Sequence, residues 1–128
     1  MILLWDSADK TVSLRVIDGE LDEIYEWRAD RELAKKMHAF LRDTLAAHGR
    51  AFEDIKGIGV YQGPGSFTGL RIGLVVMNTL ADALHIPIVG ASSDDWQQDA
   101  VDRLNKGEND RIVMPEYGSE AHITSPRK

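Results

Sequence analysis

A chain of 128 residues, 43% apolar and 28% charged, has the size and composition of an ordinary globular domain with one sizeable core. Its net charge of −6 suits it poorly to neutralising phosphates, so dominant direct contact with nucleic acid is not expected. It contains no cysteine, which excludes disulfides, thiolate chemistry and Cys-ligated zinc.

The opening apolar run Ile2-Leu3-Leu4-Trp5 stops at Asp6. It is too short for a signal peptide or a membrane span, so a cytoplasmic location with no membrane partner is the expectation. The same continuous run suits a strand buried on both faces. Val12, Leu14 and Val16 alternate with Ser13 and Arg15, as in a half-buried strand. Asp18-Gly19 is a hairpin signal, and Leu21 to Trp27 supplies a third strand.

Asp30 is placed to cap a helix running to His48, with Gly49 ending it. Steps of about 100° per residue gather Leu33, Met37, Phe40, Leu41, Thr44 and Leu45 on one side. Lys35, Lys36, Arg42 and Asp43 fall on the other, so the helix is amphipathic. Ile55 to Tyr61 reads as the fourth strand, followed by a Gly-rich loop and a helix from Ser66 to Leu84. Ile86 to Val89 reads as the fifth strand, and its Pro87 argues for a sheet edge or a strand start. Ser92 or Ser93 then caps a third helix, with Trp96, Ala100 and Leu104 at i, i+4 and i+8. Asn105 to Asp110 is polar and reads as a linker to a turn-rich tail. This order predicts an α/β fold, a mixed five-stranded sheet with flanking helices. The lobe is expected over residues 1–107 and the tail over 108–128.

The 66–84 helix is apolar on too many sides. Arg71, Asn78 and Asp82 fall in a strip about 40° wide. Leu70, Leu74, Met77, Leu80, Ala81 and Leu84 occupy one flank, and Ile72, Val75, Val76, Thr79 and Ala83 another. A helix lying on a sheet needs only one apolar stripe, so a second apolar neighbour is expected. The first helix supplies part of it, and another protein chain is expected to supply the rest; a helix fully buried within its own domain is the competing reading. Gly69 and Gly73, spaced i, i+4, leave a shallow groove that would admit a helix backbone on steric grounds.

Gly63-Pro64-Gly65-Ser66 lies between a strand and a helix, where free N–H groups and the helix dipole attract anions. It matches neither G-x-x-x-x-G-K-[ST] nor G-x-G-x-x-G, and a tight turn capped by Ser66 is the competing reading. Asp6-Ser7 closes the first strand, where an acidic residue could position a metal beside a phosphate. Asp9 adds a second negative charge there, and Asp6 as a turn residue is the other reading. His38, His48, His85 and His122 show no metal-ligand spacing, and Ser66 has no base near it in sequence. No metal site and no catalytic machinery are expected in this chain.

The run Gly63-Pro64-Gly65-Ser66-Phe67-Thr68-Gly69-Leu70-Arg71-Ile72-Gly73-Leu74, with Ile86-Pro87-Ile88-Val89-Gly90 and Ser92-Ser93, resembles the bacterial TsaB family. Asp6-Ser7 is similar to that family's Asp-Thr-Ser turn, with Ala8 departing from it, and Ala29-Asp30 stands where many relatives have His-Ser. A weaker similarity covers Pro115-Glu116-Tyr117 and His122-Ile123-Thr124-Ser125-Pro126. The resemblance implies a single actin-like, RNase H-like lobe. Relatives carry a second lobe of roughly a hundred residues where about twenty lie here, so that lobe is expected to be absent. Without an interlobe cleft, autonomous ATP binding is not expected.

The resemblance further implies a non-catalytic scaffold subunit of the machinery that makes threonylcarbamoyladenosine in tRNA. Its partner would be TsaD, with the ATPase TsaE in the same assembly. ATP and metal belong to those subunits, and no cofactor to this chain. Pairing would use a bundle of the 30–48 and 66–84 helices, and relatives can homodimerise through the same face. The interface residues are then expected to be Met37, Phe40, Leu41, Gly69, Leu70, Gly73, Leu74, Met77 and Ala81. A vestigial nucleotide site would comprise Asp6, Ser7, Gly63, Gly65 and Ser66. Two rivals stand beside this reading: a small actin-like nucleotide-binding enzyme, and a homodimeric scaffold detached from the pathway.

Overall fold

The computed structural model describes residues 1–65 and 67–116. The opening meander forms as its patterns predict: β1 (Ile2–Asp6), β2 (Thr11–Asp18) and β3 (Leu21–Arg28). They are followed by α1 (Leu33–Ala46), β4 (Gly57–Tyr61), α2 (Phe67–Leu84), β5 (Ile88–Ala91) and α3 (Trp96–Asn105). The sheet order is β3-β2-β1-β4-β5. β1 pairs antiparallel with β2 and parallel with β4, and β4 pairs parallel with β5. The continuous apolar run therefore becomes a central strand, with Leu3, Leu4 and Trp5 all buried.

Each face of the sheet has its own core. Leu3, Trp5, Val12, Leu14, Val16, Ile58 and Val60 pack against α1 and α2. On the other face Leu4, Val89 and Ala91 meet Trp96 and Ala100 of α3. Gly59 makes the second contact close. A Cβ there would lie 2.6 Å from Leu4 Cδ2 and 2.7 Å from Ala100 Cβ, so only glycine admits α3 at this distance.

All three helices end in the same hydrogen-bonded turn. Arg50 N–H donates to Leu45 O, Ile86 to Ala81 O and Glu108 to Arg103 O, across residues with positive φ. Two of these residues are Gly49 (φ 70°) and Gly107 (φ 83°); the third is His85 (φ 58°). His85→Gly is therefore expected to stabilise the chain by about 0.5–1 kcal/mol in urea unfolding, the relief of left-handed strain exceeding the added chain entropy.

Several boundaries differ from expectation. Asp30 does not cap the first helix. It sits at φ 48° in a 3-10 turn (Asp30–Glu32), with its carboxylate 3.3 Å from Arg28 Nε. Ala29 N–H is already held by Lys10 O, and this anchors the chain before the helix begins. β5 starts at Ile88, because Ile86 completes the turn after α2, but it is the sheet edge that Pro87 suggested. α3 starts at Trp96, and Ser93 contributes its carbonyl, accepting from Trp96 N–H at 3.0 Å.

The largest difference is the expected linker. Residues 109–116 dock along β5 and α2. Asp110 N–H donates to Ile88 O (2.8 Å), and Gly90 N–H donates to Asp110 Oδ2 (2.9 Å). Val113 is buried. The similarity at Tyr117 and His122–Pro126 lies outside the described residues, as does Ser66.

Candidate functional site

α1 and α2 lie side by side on the sheet. Their expected interface residues are brought together, but inside the chain's own core. Met37, Leu41, Leu70, Leu74, Met77 and Ala81 are each no more than 2% exposed. Phe40 is half-buried and stacks on Trp27 at a centroid separation of 5.0 Å. None of these core side chains is free to touch a partner.

The small-residue groove is also filled from within. A Cβ on Gly69 would lie 2.6 Å from Ser7 O, and one on Gly73 would overlap Ser7 Oγ and Trp5 Nε1. Trp5 Nε1–H donates to Ser7 Oγ (2.9 Å), whose hydroxyl donates to Gly69 O (2.8 Å). The end of β1, rather than a second helix, occupies the groove. The reason is the buried Ser7 hydroxyl, which accepts from the indole N–H and finds its own acceptor, Gly69 O, only if α2 comes this close.

What α2 leaves outward is the other flank. Val75 is 64% exposed, Thr79 and Ala83 are exposed, and Ile72 and Val76 are half-buried. Ile72, Val75 and Val76 face Ala34 of α1 across a shallow groove with Thr68 and Arg71 at its rim. A deeper groove continues from Thr68 and Ile72 toward Leu33, Val12 and Ala29, under the charged residues Asp9, Lys10, Arg31 and Glu32. The helical wheel contained this flank, but nothing local distinguished it from the inward one.

The strand-end residues also meet. Asp6 Oδ1 accepts from Ala8 N–H (2.9 Å), which is the turn role. Burial pushes the Asp6 carboxyl above its usual range; the Ala8 N–H opposes this and the Asp9 charge adds to it. Ser7 is buried, and its hydroxyl is spent on Trp5 and Gly69. Gly65 packs on Ala8, and Gly63 (φ 118°) lies directly beneath the Glu116 carbonyl. Tyr61 O–H donates to Pro64 O (3.1 Å); burial, then Asp6, Asp94 and Glu116, raise its pKa. The mouth over β1, β4 and β5 is therefore acidic and partly covered. Among the described residues no group of three or more His, Cys, Asp or Glu side chains is placed to hold a metal ion. Of the expected nucleotide site, Asp6 and Ser7 are engaged within the chain, and Ser66 lies outside the described residues.

Asp6→Asn keeps the acceptor for Ala8 and removes the desolvated charge. Because the folded-state pKa is raised, ionising Asp6 costs stability as pH rises through it. The variant should match the native chain well below the usual carboxylate range and exceed it at pH 7. Urea unfolding at the two pH values checks this, with the difference between the chains isolating Asp6 from Asp18 and Asp22. Those two are lowered, chiefly by hydrogen bonds from Arg50 and Arg15, and lose their contribution as pH falls.

A mixed sheet in this order, with helices on both faces, is a lobe of the actin-like, RNase H-like α/β class. A family model described as "TsaD: tRNA N6-adenosine threonylcarbamoyltransferase" matches residues 27–104. The chain belongs to that family, as a TsaB member. It is similar to "tRNA threonylcarbamoyladenosine biosynthesis protein TsaB" of Escherichia coli (strain K12), with 32% identity over 93 residues, 72% of this chain and 40% of that protein. The protein of that name from Bacillus subtilis (strain 168) is 44% identical over 97 residues, 72% of this chain and 41% of that one. Among solved structures, YeaZ from Pseudomonas aeruginosa superposes with a TM-score of 0.67 at 28% identity, covering 71% of this chain and 43% of that chain. The chain spans less than half the length of the curated relatives it matches.

Proposed function

We propose that this chain is a non-catalytic scaffold subunit in tRNA threonylcarbamoyladenosine biosynthesis, pairing with TsaD through α1 and α2, with TsaE in the same assembly. The observation that carries this reading is the apolar flank Ile72, Val75 and Val76 facing Ala34, left outward after α2 has filled its own core. An isolated apolar flank on a charged chain is a docking surface of the helix-on-helix kind. The relatives' printed names supply the pathway. The spent Ser7 hydroxyl, the acidic mouth and the covered Gly63 support a non-enzymatic role. No helix among the described residues is long and apolar enough to cross a membrane, which is compatible with a cytoplasmic assembly.

The test is co-elution of the purified chain with purified TsaD, beside calorimetry of the chain alone with Mg-ATP. A stoichiometric heterodimer and no micromolar ATP binding are expected. A chain that binds Mg-ATP tightly and ignores TsaD would instead be a small nucleotide-binding enzyme. One that forms only its own dimer would be a scaffold outside the pathway.

A further inference from the structure

The segment after α3 is bound as a peptide ligand is bound. Asn78 of α2 accepts from Val113 N–H through Oδ1 and donates to Val113 O through Nδ2, both at 2.9 Å. This pairs both backbone groups of one residue, as a neighbouring strand would. Gln62 Nε2–H donates to Met114 O (2.9 Å), and Gln62 O accepts from Glu116 N–H (2.6 Å). Ser92 Oγ–H donates to Glu116 Oε1 (3.1 Å). Earlier in the segment, Asn109 Oδ1 accepts from Ile88 N–H (3.1 Å). Val113 enters a pocket floored by Gly90, where a Cβ would lie 2.5 Å from Val113 Cγ1. After a bend at Arg111 (φ 70°), the groove thus reads the backbone from Val113 to Glu116 and a single small apolar side chain.

The resident segment is held in a way that allows release. Val113 is its one buried apolar anchor, while Ile112 and Met114 on either side are 65% and 67% exposed. The remaining contacts are part-buried or exposed hydrogen bonds, which water can replace, and a partly exposed ion pair between Arg103 of α3 and Asp110. A short turn, Lys106-Gly107-Glu108, joins the segment to α3, with Gly107 at φ 83°. None of the groove's contacts depends on which copy supplies the segment, and a short hinge of this kind is where segment exchange begins.

We propose that the α2–β5 groove is a receptor for a short peptide segment, occupied in cis by residues 109–116 and exchangeable for the same segment of a second copy. From Asn105 to Asn109 an extended hinge reaches about 13 Å, so exchange would bring the α3 ends of the two copies together. This dimer differs from any dimer formed through the α1–α2 flank.

The chain has no native thiol, which makes a covalent test clean. Full-length chains carrying Val75→Glu, to disable the helical flank, are made with Ser92→Cys, with Glu116→Cys, or with both. A short thiol-specific bifunctional reagent then links whichever pairs are adjacent. The double variant should crosslink internally. The mixed single variants, incubated at high concentration, should give a covalent heterodimer on the order of tenfold above a mixture in which Glu53→Cys replaces Ser92→Cys. Asn78→Ala in the Ser92→Cys chain should remove that excess. Heterodimer no more abundant than the Glu53→Cys control overturns the proposal, as does an excess indifferent to Asn78→Ala. Failure of the double variant to crosslink internally overturns it as well. None of these outcomes depends on TsaD.

Discussion

Gly73→Leu is expected to remove a large share of the chain's folding stability. Any Cβ at this position overlaps Ser7 Oγ and Trp5 Nε1, and a leucine adds three more carbons to the same space. The neighbours cannot yield, since Trp5 and Ser7 are at most 1% exposed and belong to the central strand and the turn that ends it. Overpacking of this kind costs about 1–3 kcal/mol, and leaving the buried indole N–H unpaired adds about 1–3 kcal/mol. A total of about 4 kcal/mol is a large share of the stability of a small domain. Urea unfolding followed by circular dichroism reads it directly. A midpoint within experimental scatter of the native chain would show that α2 does not sit on β1 as described. Loss of partner binding in this variant would carry no information about the interface, because the fold goes first.

Val75→Glu is the informative change for pairing. Val75 is 64% exposed and makes little of the core, so stability should change by no more than about 0.5 kcal/mol. A carboxylate at the centre of an apolar flank should cost at least about 2 kcal/mol of pairing with TsaD, roughly thirtyfold in Kd. Calorimetric titration of the folded variant with TsaD checks this. Leu74→Ala, one residue away and 2% exposed, should do the reverse, losing about 2–5 kcal/mol of stability through its cavity. Native affinity in Val75→Glu would remove this flank from the proposed interface.

Much of the lobe was legible because its signals are local. The run Ile2–Trp5 suited a strand covered on both faces, and it is the centre of the sheet. The alternation of Val12, Leu14 and Val16 and the Asp18-Gly19 turn specify a hairpin within a few residues. Gly49 ends α1 by a hydrogen-bond pattern confined to one turn. Where expectation and structure part, another residue holds the group in question. Asp30 does not cap; at φ 48° its carboxylate is taken by Arg28. The polar stretch through Asp110 is no linker because Ile88 and Gly90 at the sheet edge accept and donate to it, and Asn78 holds the Val113 that follows.

By itself the sequence determined the strands, the helices and their apolar stripes, together with the run from Gly63 to Leu74 that carries the family resemblance. Each of these depends on periodicity or chemistry within a window of a few turns. It also determined that α2 has more apolar surface than one sheet face requires. The direction of that surface was a tertiary matter. Gly69 and Gly73 mark a place where something approaches closely, but a missing side chain says nothing about what fills the space. The occupant is the end of β1, more than sixty residues earlier in the chain, where Ser7 Oγ donates to Gly69 O. Once Trp5 and Ser7 are seated there, the Leu70–Ala81 flank must face the core and the Ile72–Val76 flank must face outward.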